Sequence, residues 1–385
     1  MKFDLIIVGG SFAGLACART AALRGLKVAV LDAHTEPGAK LRTTGIVVKE
    51  ASDDFDMPAQ LMRKVRGVRL YAPSGRALDL SAPGYFFQAT DTAGLLRWMA
   101  AEAERAGAKL MFGAKFSDAT QDDETIRIPE HGLSARYLIG ADGARSRVAE
   151  IFGLGRNRHF LAGLEIECEE LRGLDRRYLH CFADSKIAPG YIGWVVPGHG
   201  VTQIGTAARR GRKPDLALLI ERTKQLFGVT DLRIVERRAG LIPSGGPVSR
   251  IGRGRVLLIG DAAGIVSPVT GGGIHTALHY GRRAAQLVSD YLDDRGPYPP
   301  KALASEIPRY RTKLALRRAL DLAPPNLLID AMLFTQPVRA LAQRLYFHRR
   351  GGDAGTFEKW SEALARDDMT PVRETLPPPG KLHCI

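Results

Sequence analysis

The opening of the chain is apolar on both faces. Residues 2–8, KFDLIIV, carry Ile and Val in a short continuous run, as a strand buried in a parallel sheet does. Residues 12–24 follow as an Ala-rich helical stretch that stops at Gly25, a suitable left-handed terminator. Residues 28–31 form a second apolar run, closed by Asp32. Strand, glycine turn, helix and strand within about 30 residues predict one right-handed βαβ unit on a parallel sheet.

Periodicity then lapses over 35–56, a stretch containing Gly38, Arg42 and Gly45. Residues 68–80 read as two alternating runs around a Pro-Ser-Gly turn, the pattern of a hairpin. Residues 92–107 are strongly helical, and 109–112 and 135–139 are strand-like. In YLIGADGARSRV, residues 137–148, an apolar strand leads through a loop to a helix start. From 163 to 241 strand-like runs, such as 191–197 and 200–207, alternate with turns, and one helix over 214–227 interrupts them. The first pattern resumes at 255–259, followed by a helix over about 272–293. The last third is helical and basic, broken at Pro324–Pro325 and Pro337, with a loose Pro-rich tail from about 367. The expected fold is α/β. A Rossmann-like nucleotide-binding domain (1–70, 105–160 and 245–295) carries an inserted mixed β-sheet substrate domain (71–104 and 161–244), and a helical C-terminal region covers 296–385.

A length of 385 residues suits two closely packed domains, and 45% hydrophobic with 25% charged residues is globular composition. The formal net charge of +14 favours anionic partners. The basic residues are scattered and carry no basic helix or zinc-finger spacing, so a nucleic-acid partner is not expected. A basic soluble surface and attraction to an acidic membrane surface both remain open. Leu, Phe and Met mixed with Arg over 327–350 fit either a segment at a membrane surface or substrate mouth, or an amphipathic helix packed on the body. The four cysteines, Cys17, Cys168, Cys181 and Cys384, form neither a metal spacing nor a disulfide framework. No secretory signal or spanning segment is read, so the expected compartment is the cytoplasm, with peripheral membrane contact possible.

Three constellations carry chemistry. In GGSFAG, Gly9 can make the tight turn, Gly10 follows it, and Gly14 permits close helix–strand contact. Ser11 stands where a strict G-x-G-x-x-G has glycine; it is small, and its hydroxyl can itself donate to phosphate. Asp32 lies 18 residues after Gly14, where a carboxylate suits the hydroxyls of an adenosine ribose. The alternative is a purely structural turn. Asp142 and Gly143 occupy a loop after an apolar strand, where a capping role would also account for the aspartate. In RVLLIGDAAGIVSPVTGGGIHTA, a strand ends at Gly260–Asp261, and Pro268 and Gly271–Gly272–Gly273 lead into a helix. Three glycines at a helix start lower local order, so stability does not explain them; close approach of backbone N–H groups to a flat ring does.

Taken in this order and at these distances, the three blocks resemble the para-hydroxybenzoate hydroxylase class of flavoproteins. Within it the chain is most similar to the geranylgeranyl reductase family, through GDAAGIVSPVTGGGI, GLIPSGGP at 240–247 and PGYIGWVVP at 189–197. The resemblance covers residues 3 to 290 and implies bound FAD. Gly9, Gly10, Ser11, Ala13 and Gly14 would hold its pyrophosphate, and Asp32, beside Ala33, its ribose. Arg42 would lie on the flavin side, with Thr44 and Gly45 close to the ring. Asp142 and Gly143 would link a strand to the cofactor. Gly260 and Asp261 would meet the pyrophosphate–ribityl region, and Pro268 with Gly271–Gly272–Gly273–Ile274 would edge the isoalloxazine. The chain departs from the family's pattern in several places. Tyr191 and Trp194 are three residues apart, not two; Gln203–Ile204–Gly205 lacks the first of a glycine pair; and Thr44 replaces a frequent cysteine. The helix at Thr92 also lacks an arginine common near its start.

A second dinucleotide motif is absent, so NAD(P)H or a reduced electron carrier would visit transiently. The resemblance implies reduction of C=C bonds in a prenyl lipid or quinone, in an apolar pocket for which Tyr85, Phe86, Tyr191 and Trp194 are wall candidates; ordinary core packing is the alternative for each. No proton donor stands out, and Tyr191 and Trp194 are the weak catalytic candidates. A monooxygenase using NAD(P)H and O2 on a small apolar or aromatic substrate, and a non-catalytic flavin electron-transfer protein, share the three cofactor blocks. Gly264, where hydroxylases usually carry histidine, and GLIPSGGP tip the reading towards the reductase.

Overall fold

In the computed structural model, residues 1–209 and 211–347 are described. The Lys2–Val8 strand lies at the centre of the first sheet, parallel to Leu133–Gly140 on one side and to Val28–Asp32 on the other. Lys109–Phe112 extends the sheet beyond Val28–Asp32, and Val256–Leu258 extends it beyond Leu133–Gly140. Burial on both faces explains the continuous apolar runs: Leu5, Ile6 and Ile7 are fully buried, each contributing about 1.5–3 kcal/mol of transfer free energy.

The Phe12–Leu23 helix crosses this sheet against the long Ile274–Leu292 helix. They pack backbone to backbone, since a Cβ at Gly281 would fall 2.4 Å from the Ala13 carbonyl oxygen. Asp91 caps the Thr92–Arg105 helix through the Gly94 amide. Leu95, Leu96 and Met99 place that helix in the core of the first sheet, whereas the sequence reading grouped it with the substrate domain. Its apolar stripe answers the first helix, a match no local signal carries.

The second sheet has seven strands in the order Ile234–Pro243, Phe160–Glu169, Val201–Arg209, Gly193–Pro197, Tyr178–Phe182, Gly67–Tyr71 and Ala77–Ser81. The expected hairpin is thus present as its last two strands. One face is covered by the Leu216–Phe227 helix over Ile166, Val195 and Ile204. The opposite face looks towards the glycine-rich segments of the first sheet. A small third sheet, Ile46–Val48, Phe87–Thr90 and Met62–Val65, joins the two. The C-terminal helices Arg311–Leu320, Asn326–Leu333 and Gln336–Phe347 follow. Pro324 and Pro325 do separate two of them, but Pro337 sits in the first turn of the last one, where its missing N–H costs nothing. Cys384, Arg349, Arg350 and the tail from 367 lie outside the described residues. No helix among the described residues is long and apolar enough to cross a membrane.

Candidate functional site

The fingerprint turn is held by contacts that only glycine allows. Gly9 has φ +109°, and a Cβ there would lie 2.2 Å from the Ala141 carbonyl oxygen. A Cβ on Gly14 would meet the Gly9 carbonyl oxygen at 1.8 Å. Ser11 is exposed at the helix N-cap, and its hydroxyl makes no capping bond. No acidic residue stands in the first turn, so the leading amides face outward with neither cap nor counter-charge, as a phosphate requires. Asp32 accepts from the Gly10 amide at 2.6 Å through Oδ2, while its Oδ1 takes the His34 amide at 2.8 Å. The carboxylate therefore braces the turn as well as presenting lone pairs at the strand end beside Ala33.

Asp142 is absorbed locally. It accepts from the Ser146 hydroxyl at 2.6 Å and from the amides of Arg147 and Val148, so it organises the start of the Arg147–Ile151 helix after the left-handed Gly143.

Asp261 differs. Its carboxyl has no hydrogen-bond partner among the described residues, and burial pushes its pKa up to about 6. It stands 3.5 Å from where a Cβ on Gly273 would be. Gly260 (φ +57°) lets this segment touch Ala13 of the first helix. The following loop folds tightly: the Gly271 amide donates to the Ser267 carbonyl and the Ser267 amide to the Gly272 carbonyl, both at 3.0 Å, with Pro268 buried inside. Gly273 then starts the Ile274–Leu292 helix with no side-chain cap. Two uncapped helix starts, glycines pressed against backbone at the first of them and a partnerless carboxyl between the two fit a dinucleotide flavin.

From the other side, the loop through Arg42, Thr44 and Gly45 closes on the second sheet. Gly45 has φ +79° because a side chain there would strike Thr90 and Thr92. Arg42 is exposed, and its backbone packs on Gly240. Thr44 donates to Glu165 Oε2 at 2.5 Å, and the Trp194 indole N–H donates to the same oxygen at 2.8 Å. Tyr191 donates to the Thr270 carbonyl at 2.7 Å, its hydroxyl filling the space a Cβ on Gly271 would need, and stands edge-on to Trp194. Thr44, Tyr191, Trp194 and the Gly271 turn thus converge.

Register exposes the logic of the sheet face. One rung runs Arg238, Glu165, Gly205, Trp194, Cys181, Leu70, Leu78 across all seven strands. It is charged at one end and apolar at the other, with Trp194 at the change. The apolar end continues into Tyr85, Phe87 and Phe347, which pack edge to face. Tyr85 is buried and donates to Glu50. Phe86 does not share that cluster; it faces the ammonium groups of Lys49 and Lys64.

Glu165, Glu167 and Arg238 escaped the sequence reading. The available signal was GLEIECEE: acids two apart in an otherwise apolar strand put charge on one buried face. Arg317 was also missed. It is buried, donates to the Gly190 carbonyl and lies 5.9 Å from the Tyr191 ring centroid, which steadies the Tyr191 loop.

A family model described as an FAD binding domain matches residues 2–293. Among curated relatives, digeranylgeranylglycerophospholipid reductase of Methanothrix thermoacetophila is 30% identical over 84% of this chain and 87% of its own length. Menaquinone reductase of Mycolicibacterium smegmatis is 30% identical over 88% and 91%. The chain belongs to the geranylgeranyl reductase family. Among solved structures, a geranylgeranyl bacteriochlorophyll reductase-like protein from Thermoplasma acidophilum aligns with TM-score 0.77 at 20% identity, over 93% of this chain and 99% of that one. The p-nitrophenol 4-monooxygenase of Pseudomonas putida aligns at 0.64 with 17% identity over 95% and 98%, which shows the fold shared by both flavoprotein groups. This member of the family is an FAD-dependent enzyme of the reductase type.

Proposed function

We propose that the protein reduces C=C bonds in the isoprenoid chain of a lipid or quinone. The observation that carries this reading is the rung through Trp194, where the sheet face changes from the charged Arg238 and Glu165 to the apolar Cys181, Leu70 and Leu78, continuous with the Tyr85–Phe87–Phe347 cluster. An isolated prenyl double bond offers no polar handle, so it must be held by apolar contacts and shape. The names of the curated relatives point to the same substrate class.

FAD, once bound and reduced, supplies the hydride. Gly9, Gly10, Ser11, Ala13 and Gly14 would hold its pyrophosphate and Asp32 its ribose. Asp261 and the 268–274 turn would meet the flavin half, with Arg42, Thr44 and Gly45 closing the other side. Tyr191 and Trp194 orient the chain and keep water away. NAD(P)H or a protein carrier acts as transient donor.

A peripheral approach to the membrane suits such a substrate. Leu327, Leu328, Met332 and Leu341 are exposed on the C-terminal helices and Leu322 on the turn before them, among Arg318, Arg339 and Arg344.

The test is turnover. Purified holoenzyme, reduced anaerobically and offered a geranylgeranyl lipid or a menaquinone, is expected to reoxidise with a product mass gain of two hydrogens per bond reduced. Reoxidation by oxygen and a phenol alone, with NAD(P)H consumption, would overturn the reading in favour of a monooxygenase.

A further inference from the structure

We propose that Glu165 is the proton reservoir of the reduction and that the Thr44 hydroxyl carries its proton to the substrate carbon. This rests on the reductase reading above and adds the residue that supplies the second hydrogen.

Glu165 is a buried carboxyl at the point where the Thr44 loop meets Trp194. Its residue is 6% exposed on the inner face of the sheet. Oε2 is bonded by Thr44 and Trp194, the two side chains at the junction of loop, sheet and glycine turn. Oε1 has no hydrogen bond, and Gln203 Oε1 and Arg238 Nη1 beside it are also buried without one. Three charged neighbours decide its ionisation. Among the described residues Arg238 is the cation paired with these acids, and it bonds Glu167 at 2.7 Å and Glu236 at 2.6 Å but approaches Glu165 only to 3.5 Å. Glu167 and Glu236 therefore take the guanidinium charge. For Glu165 burial outweighs the hydrogen bonds from Thr44 and Trp194 and the more distant Arg238 charge, which favour the carboxylate, so it is the acid of the cluster disposed to hold a proton. Its pKa is raised accordingly, with burial the main cause.

A route for resupply reaches the cluster from outside. A cleft of about 190 Å³ is lined by Thr90, Thr92, Glu167, His199, Glu236 and Arg238. Glu236, partly exposed, shares Arg238 with Glu167, so the acid cluster that includes Glu165 borders this cleft, and the cleft is the side from which solvent restores the proton.

The step balances. FAD, when bound and reduced, would supply the hydride for one C–H bond. The π pair of the alkene takes the Thr44 hydroxyl proton to make the other. For this transfer the 2.5 Å Thr44–Glu165 bond runs in the reverse sense: protonated Oε2 donates to Thr44 Oγ1 as the hydroxyl proton turns to the substrate, and Glu165 is left as carboxylate until solvent restores it.

The experiment pairs kinetics with a readout that needs no turnover. Infrared difference spectra of the apo-protein in H2O and D2O at pH 7 are expected to show a protonated carboxyl band that disappears in Glu165→Gln. The Glu165→Gln holoenzyme is expected to bind FAD as wild type and to be reduced by dithionite, yet to lose isoprenoid reduction at least 100-fold; Thr44→Val is expected to show the same loss when activity is counted per bound, dithionite-reducible flavin. Thr44→Ser is expected to restore most of it, and the solvent isotope effect of the wild type to vanish with the band's titration. Should Glu165→Gln fail to fold, Thr44→Val carries the kinetic arm, because Thr44 lies in a surface-linked loop. Absence of the band, or Glu165→Gln and Thr44→Val as active as wild type, overturns the relay alone. A wild type inert towards every isoprenoid offered, with the band present, overturns the reductase reading instead.

Discussion

The indole of Trp194 lies against the bare Cα of Gly205 on the neighbouring strand. A Cβ there would sit 2.4 Å from the ring. The contact holds the indole flat on the sheet, so its N–H reaches Glu165. Substituting Gly205→Val must lift the ring. FAD binding is expected to survive, because Gly205 is remote in sequence and sheet from the fingerprint. Isoprenoid turnover should fall more than tenfold, and tryptophan emission should shift to the red as the indole meets water. Unchanged emission and turnover would contradict the placement.

The fingerprint gives a sharper pair. Gly14→Val puts atoms inside the Gly9 carbonyl, so the turn cannot close. The variant is expected to purify colourless and to fail to bind added FAD. Ser11 is exposed and caps nothing, so Ser11→Gly should bind FAD as tightly as the wild type in a titration of flavin fluorescence.

Asp261 makes the apo-protein's stability depend on pH. Its folded pKa of about 6 lies above the unfolded value near 3.9, so the folded state binds the proton more tightly. The stabilisation this proton provides is full below about pH 4 and is lost as pH rises through 6. Above that, the native state carries an unpartnered carboxylate. Two units correspond to about 3 kcal/mol, which partial solvent access reduces to about 1–2 kcal/mol. Urea melts of apo Asp261→Asn should exceed wild type by that amount at pH 8 and match it near pH 4. A constant difference at both pH values would refute the assignment.

Arg317 fastens the loop that carries Tyr191. Arg317→Ala leaves the Gly190 carbonyl without its buried donor and Asp321 without its partner. A loss of about 2–4 kcal/mol is expected in chemical denaturation. Arg317→Lys should recover little, because one ammonium cannot reach both acceptors in the same plane.

The membrane reading predicts that Leu327→Glu and Met332→Glu, both exposed positions, leave the fold intact and abolish flotation with anionic liposomes at low salt. If the unmodified protein fails to float under these conditions, peripheral contact through these helices is wrong.

The sequence by itself determined the βαβ core and the cofactor class. Lys2–Val8 and Lys109–Phe112 were read with their observed bounds, and Val28–Asp32 nearly so, because strands buried on both faces are written as unbroken apolar runs. Gly9, Gly14 and the glycines after Asp261 stood out as glycines at helix starts, a local pattern; what fills the space beside them, the Ala141 carbonyl at Gly9 and the Tyr191 hydroxyl at Gly271, comes from distant segments. Tertiary structure decided the rest. Helix Thr92–Arg105 carries a stripe that would suit either domain, and only packing sends it to the first core. Asp142 and Asp261 look alike in sequence, each after a glycine-ended strand, yet the first is spent on a helix cap and the second is left bare. Arg238, Glu165, Gly205 and Trp194 come from four strands that are 73 residues apart at the extremes of numbering, from 165 to 238. Cross-strand register, a long-range property of the ladder, is what places a buried carboxyl beside an indole and a threonine.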